Sequence, residues 1–162
     1  MRNTYEVRAQ KFIRRIAKYL EGAQEVYDFQ WGVKAYNYHY HTKVKLDYGM
    51  SRVALITSDY VVKIDYNKTP WGNCEDEMQV YTEATLDGFS YLFAKITRYE
   101  YNGISFYIMP RIHGIGRTPY DAEEYLTAEE NDWVYEHLFD LHNHNYGWYK
   151  NKIIIFDYAA RR

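Results

Sequence analysis

One cysteine, Cys74, stands among 162 residues, so no disulfide can form within the chain and nothing points to an oxidising compartment. No apolar run approaches the roughly 20 residues that cross a bilayer. The opening stretch, MRNTYEVRAQKF, has no apolar signal-peptide core. A cytoplasmic protein without a membrane partner is the expectation. Neither sign of charge dominates. The formal net charge is −2 and the pI is near 6.3, which removes any general pull toward nucleic acid or anionic lipid. Internal repeats and low-complexity tracts are also missing.

What the chain has in quantity is tyrosine, 20 in all. A phenol is a large apolar body with a wet tip, so it suits a small domain with much half-buried surface. The length allows one ordinary core, or one small lobe plus part of another. From about Thr4 to Tyr27, Val7, Phe12, Ile13, Ile16, Ala17 and Leu20 recur at helical spacing. Arg2, Arg8, Lys11, Arg14, Arg15 and Lys18 make this segment basic, which reads as the solvated face of an amphipathic helix docked on the body. The next stretch, DFQWGVKAYNYHYH, reads as irregular and aromatic.

Five strand-like runs follow: TKVKLDY, RVALIT, YVVKIDY, YLFAKITRYEY and ISFYIMPRI. The breaks between them are turn-like, at Gly49, Ser58-Asp59 and Asn102-Gly103, and Asn-Gly is the strongest short hairpin signal. A helix over Asn73 to about Leu86 interrupts the series. A further helix is expected from about Thr127 to Leu141, with Thr127 and Glu130 forming a capping box.

The closing segment, FDLHNHNYGWYKNKIIIFDYAARR, carries the chemistry. Asp140 precedes Asn145 by five positions. A short turn then leads into the apolar run Ile153-Ile154-Ile155-Phe156, which stops at Asp157. The pair DLHNHNYG and IIIFDYA resembles the signature DLHxxN, apolar run, D(Y/F) of the protein-kinase-like and aminoglycoside-phosphotransferase-like superfamily. More closely, the chain is similar to the short kinase-like proteins of phages and bacteria. The resemblance runs from about Lys43 to the end, roughly three quarters of the sequence.

That resemblance implies an α+β fold: a kinase-like amino-terminal lobe of five antiparallel strands plus one helix, an added N-terminal helix, and a severely truncated second lobe. Its boundaries would be 1–42 for the helix and aromatic linker, 43–113 for the first lobe, and 114–162 for the catalytic loop and metal-binding strand. It implies ATP and Mg2+ as cofactors. A triphosphate with magnesium needs a cation and hard oxygen ligands. Lys63, in VVKID, would pair the phosphates, held by Glu77 on the following helix. Gly49 and Ser51, in YGMSRVALI, would lie in the phosphate-covering loop. Met109, Pro110 and Ile112 would form the adenine-reading hinge, where backbone groups do the reading and proline has no N–H to offer. Asp140 would accept or orient the proton of an attacking hydroxyl, and Asn145 and Asp157 would hold magnesium. The implied activity is phosphoryl transfer to a hydroxyl, of the Ser/Thr type or on a small molecule.

Departures from the family pattern qualify this. Leu138 and Phe139 precede Asp140 where protein kinases carry His and Arg, and the covering loop lacks the full G-x-G-x-x-G. Only five residues follow Asp157, so no activation segment or peptide platform is expected. Either the basic N-terminal helix or a second copy of the chain, as a homodimer, would have to cover the lower face. The rival reading is a pseudokinase, phage-encoded in the manner of its relatives, that binds nucleotide or inhibits a host partner protein. The phosphate acceptor stays open. His142 sits where phosphotransferase-like members often carry histidine. A structural zinc on His39, His41, His142 and His144 would lack a cysteine pair or acidic partner to complete it.

Overall fold

The structure is a computed structural model that describes residues 4–67, 72–113, 122–138 and 145–158. These residues form an α+β protein that divides into two compact units, Met1–Thr69 with Thr97–Arg111, and Pro70–Ile96 with Ile112–Arg162.

The first unit is built on a sheet of β1 (Lys45–Tyr48), β2 (Arg52–Ile56), β3 (Tyr60–Asp65), β4 (Thr97–Tyr101) and β5 (Ile104–Pro110), in the order β1-β2-β3-β5-β4. All neighbours are antiparallel. The sheet exists because apolar residues alternate along its strands. Val53 and Leu55 of β2, Val62 and Ile64 of β3, and Phe106 and Ile108 of β5 point into one core. The β4–β5 turn is closed by Asn102 and Gly103, at φ 54° and 73°, the left-handed pair that a tight hairpin requires. β5 runs through Pro110, which pairs with Tyr60.

Helix α1 (Tyr5–Ile16) covers the apolar face of that sheet. Thr4 caps it by accepting the Val7 N–H at 3.3 Å, and Ala9, Phe12, Ile13 and Ile16 are buried. Its apolar face is therefore committed to this sheet. The helix does not reach Tyr27. It tightens into a 3-10 turn over Ala17–Leu20 and breaks near Gly22, at φ 73°.

The segment read as an aromatic linker is helix α2 (Val26–Tyr40). Asp28 starts it by accepting the N–H groups of Gln24 and Glu25 at 3.0 and 3.1 Å, and these two donors hold its carboxyl below the usual range. Phe29, Gly32, Val33 and Tyr36 recur at 3, 4 and 7 positions and are its buried face. Gly32 is needed there for close approach: a Cβ would stand 2.3 Å from the Tyr19 carbonyl oxygen.

The second unit contains α3 (Cys74–Asp87), α4 (Ala128–His137) and the hairpin of β6 (Tyr146–Tyr149) and β7 (Lys152–Ile155). Both helices start where their capping residues predict. Asn73 accepts from Asp76 N at 3.0 Å, and Thr127 exchanges bonds with Glu130 at 2.8 and 3.1 Å. The Trp133 indole N–H joins them, donating to Asp87 at 2.8 Å. Phe93 packs edge-on against Trp133 and Tyr158, at 5.6 and 5.0 Å between ring centres. No described helix is long and apolar enough to cross a membrane.

Candidate functional site

Lys63 lies mid-way along β3. Alternation sends Tyr60, Val62 and Ile64 toward the helices, so Lys63 projects from the opposite face, in register with Ala54 and Tyr107. It is only 9 % exposed. A lysine in a strand interior at that burial is uncommon.

At the β1–β2 turn, Gly49 and Ser51 are fixed by the segment after β3. The Tyr66 hydroxyl donates to the Gly49 carbonyl at 2.6 Å, and the Tyr66 N–H donates to the Ser51 carbonyl at 2.9 Å. Asn67 Nδ2 reaches the carbonyl of Met50 at 3.2 Å. Gly49 has open space where a Cβ would go, so its lack of a side chain answers no crowding within the fold. Tyr66 and Asn67, which tie this turn down, carried no signal in the sequence.

Met109 and Pro110 end β5, both buried. The next residue, Arg111, is anchored on the β2–β3 turn, its N–H on the Asp59 carbonyl at 3.1 Å and its guanidinium on the Thr57 carbonyl at 2.8 Å. Ile112 belongs to the second unit. There its side chain packs so closely on β6 that a Cβ on Gly147 would come within 2.3 Å of it. Gly147 is thus a packing glycine inside a strand. The hairpin turn itself is made by Lys150 and Asn151, at φ 50° and 64°.

Glu77, in the first turn of α3, is completely buried. Its Oε2 accepts the backbone N–H of Tyr158 at 3.0 Å. Tyr158 is buried too, and its hydroxyl donates to the Ala94 carbonyl at 2.6 Å.

The base of the β6–β7 hairpin brings Asn145 and Asp157 together. Asn145 Nδ2 donates to the Asp157 carbonyl at 3.0 Å, and the N–H of Phe156 returns a bond to the Asn145 carbonyl at 2.9 Å. Asp157 therefore sits between two anchored neighbours, Phe156 on Asn145 and Tyr158 on Glu77. The donor chemistry suits a hard divalent cation, since the Asn145 amide oxygen and the Asp157 carboxylate are both oxygen ligands. Among the described residues no group of three or more His, Cys, Asp or Glu is gathered as a metal set. Asp140, Phe139, His142 and His144 lie outside the described residues. Of the two other candidates for zinc, His39 packs against Tyr19 and Tyr40 at 6.3 and 4.7 Å, and His41 ends α2 at φ 54°.

Tyr158 is the residue of this region that sequence reasoning missed. Its only local signal is its place directly after Asp157. Comparison with family models, with curated proteins and with solved structures finds no match to this chain.

Proposed function

We propose that this chain is a minimal kinase-like phosphotransferase, which takes the terminal phosphoryl group of magnesium ATP to a hydroxyl acceptor. The observation that carries the reading is the closed base of the β6–β7 hairpin. The bond from the Asn145 side-chain amide to the Asp157 backbone carbonyl brings two residues with hard-oxygen side chains to adjoining ends of one small element. The five-stranded antiparallel sheet, with a buried lysine on its second-longest strand and a helix bearing a buried glutamate next in sequence, supports it further.

In this reading Lys63 pairs the phosphates and Glu77 holds Lys63. Gly49 and Ser51 cover the phosphates, and the backbone at Met109, Pro110 and Ile112 reads the adenine. Asn145 and Asp157 hold magnesium, which supplies charge neutralisation to the phosphate oxygens. Asp140 takes the proton of the acceptor hydroxyl as its oxygen bonds to phosphorus and the bond to the departing diphosphate breaks. The work is positioning and electrostatics rather than covalent catalysis.

Isothermal titration of ATP, with and without magnesium, on the wild-type chain and on Lys63→Ala tests this. Magnesium-dependent binding that disappears in the variant is the expected result. At a hundredfold excess over Kd the nucleotide should also stabilise the fold by about 2.7 kcal/mol. No binding to either protein would overturn the reading and leave a non-catalytic protein that acts through its surface on a partner.

A further inference from the structure

The first unit has a second feature that the phosphotransferase reading does not use. A cleft of about 470 Å³ opens between α1, the segment joining α2 to β1, and the β2–β3 turn. Its volume falls in the range of small-molecule sites, roughly 300–1,000 Å³. Four cations line it, Arg8, Lys11, Arg15 and Lys43, and no acid does. In a chain of net charge −2 this is a local concentration of positive charge.

The arrangement follows from helix geometry. Arg8, Lys11 and Arg15 are three and then four positions apart, so they stand along one stripe of α1. Phe12, beside them, turns inward and meets Tyr36 and Tyr60 at 5.4 and 5.9 Å between ring centres. The cations thus stand over an aromatic floor. Tyr60 stays a neutral phenol, because burial and then the neighbouring Asp59 charge push its pKa to about 12, so the floor adds no negative charge.

The four cations divide into two kinds. Arg8 is bound to Asp59, through Nε at 3.0 Å and through a second guanidinium nitrogen. Arg15 lies over the Tyr40 ring at 5.8 Å. These two stiffen the rim. Lys11 and Lys43 are exposed, and among the described residues neither has a carboxylate partner. They are the charges that remain for a ligand.

We infer that this cleft binds a small organic phosphate, with a flat apolar body against the Phe12–Tyr60 floor and its phosphate between Lys11 and Lys43. Inorganic phosphate would fill only a small part of 470 Å³. The site is distinct from Lys63, which projects from the other face of β3 while Tyr60 faces the helices. The inference therefore stands or falls separately from the phosphotransferase reading.

Phenyl phosphate, phenol and inorganic phosphate are the probes, titrated calorimetrically into the full chain. The proteins compared are wild type, the double variant Lys11→Ala/Lys43→Ala, and Lys63→Ala. Both lysines of the double variant are exposed, so its fold should be intact, and circular dichroism checks this. Saturable one-site binding of phenyl phosphate is expected, weaker with added salt, about tenfold or more weaker in the double variant, and unchanged in Lys63→Ala. Phenol and inorganic phosphate should each bind more weakly. The proposal is overturned by absence of saturable binding, by a double variant that binds as wild type does, by inorganic phosphate binding equally well, or by loss of binding in Lys63→Ala.

Discussion

Glu77 and Tyr158 meet across 81 positions of chain, a buried carboxylate accepting a buried backbone N–H at 3.0 Å. This one bond ties the start of α3 to the residue that follows Asp157. Removing the acceptor strands the N–H away from water, a cost of about 1–3 kcal/mol. Glu77→Ala should lower the unfolding free energy by about that amount in urea denaturation. Glu77→Gln keeps an acceptor oxygen and should be nearer wild type in stability. If Glu77 also serves Lys63, as proposed, Glu77→Gln should weaken magnesium-ATP binding while leaving stability largely intact. Equal losses of stability in the two variants would show that the charge, not the acceptor, is what the fold uses.

Asp157 contributes to the hairpin base through its carbonyl, and its neighbours through their N–H groups. None of those bonds needs a carboxylate. Asp157→Asn keeps each of those bonds and should lose magnesium-dependent nucleotide binding. An unfolded Asp157→Asn protein would mark the side chain as structural and remove it from the proposed site.

Three glycines separate crowding from chance. Gly32→Ala would drive a Cβ into the Tyr19 carbonyl, and Gly147→Ala into Ile112, each at 2.3 Å. Overpacking of this kind costs about 1–3 kcal/mol, and the Gly32 variant should suffer more, because a backbone oxygen yields less readily than a side-chain methyl. Gly49→Ala meets open space and should change stability by less than about 0.5 kcal/mol. A large loss of stability in Gly49→Ala would show a backbone requirement at that turn.

Alkali gives a further check. Burial, then Asp59, raises the Tyr60 pKa to about 12, and the bond to Glu130, then burial, raises that of Tyr91 to about 12, against 10.0 for the unperturbed phenol. A folded pKa above the unfolded one means the stabilisation is complete below pH 10 and fades as pH rises toward 12. Spectrophotometric titration should show the phenolates of Tyr60 and Tyr91 among those appearing late, accompanied by falling stability. Glu130→Gln should return Tyr91 toward its ordinary value and leave Tyr60 late. On the acid side, burial opposes ionisation of Glu130, but the Tyr91 hydroxyl and Thr127 outweigh it and hold the carboxyl below 4.5. Its contribution is therefore present above that pH and lost as pH falls.

Where a feature is local, the sequence carries it. Asn102-Gly103 announces its hairpin because few other pairs tolerate two left-handed residues in a row. Thr127 and Glu130 announce a helix start because their side chains satisfy the first N–H groups. α2 was hidden by its composition: histidines, aromatics and a central glycine argue against a helix on propensity alone. The spacing of Phe29, Gly32, Val33 and Tyr36 contained the helix all the same, and packing against Tyr19 and Leu20 decided it. The basic stripe of α1 read as a solvated face, because nothing nearby in sequence indicates that Lys43 arrives beside it. The Glu77–Tyr158 bond has no local signature at all, since neither residue's neighbours encode a partner so far along the chain.

The division of the chain also bears on its synthesis. Thr97–Arg111 belongs to the first unit although α3 and its following turn, made earlier, belong to the second. Within the first unit, β5 lies between β3 and β4. Until β5 emerges from the ribosome, β3 presents a bare row of N–H and C=O groups, and α1 has only part of its sheet to cover. A nascent chain halted before Thr97 should therefore remain open to protease and prone to pair with another copy, whereas one released past Pro110 can close.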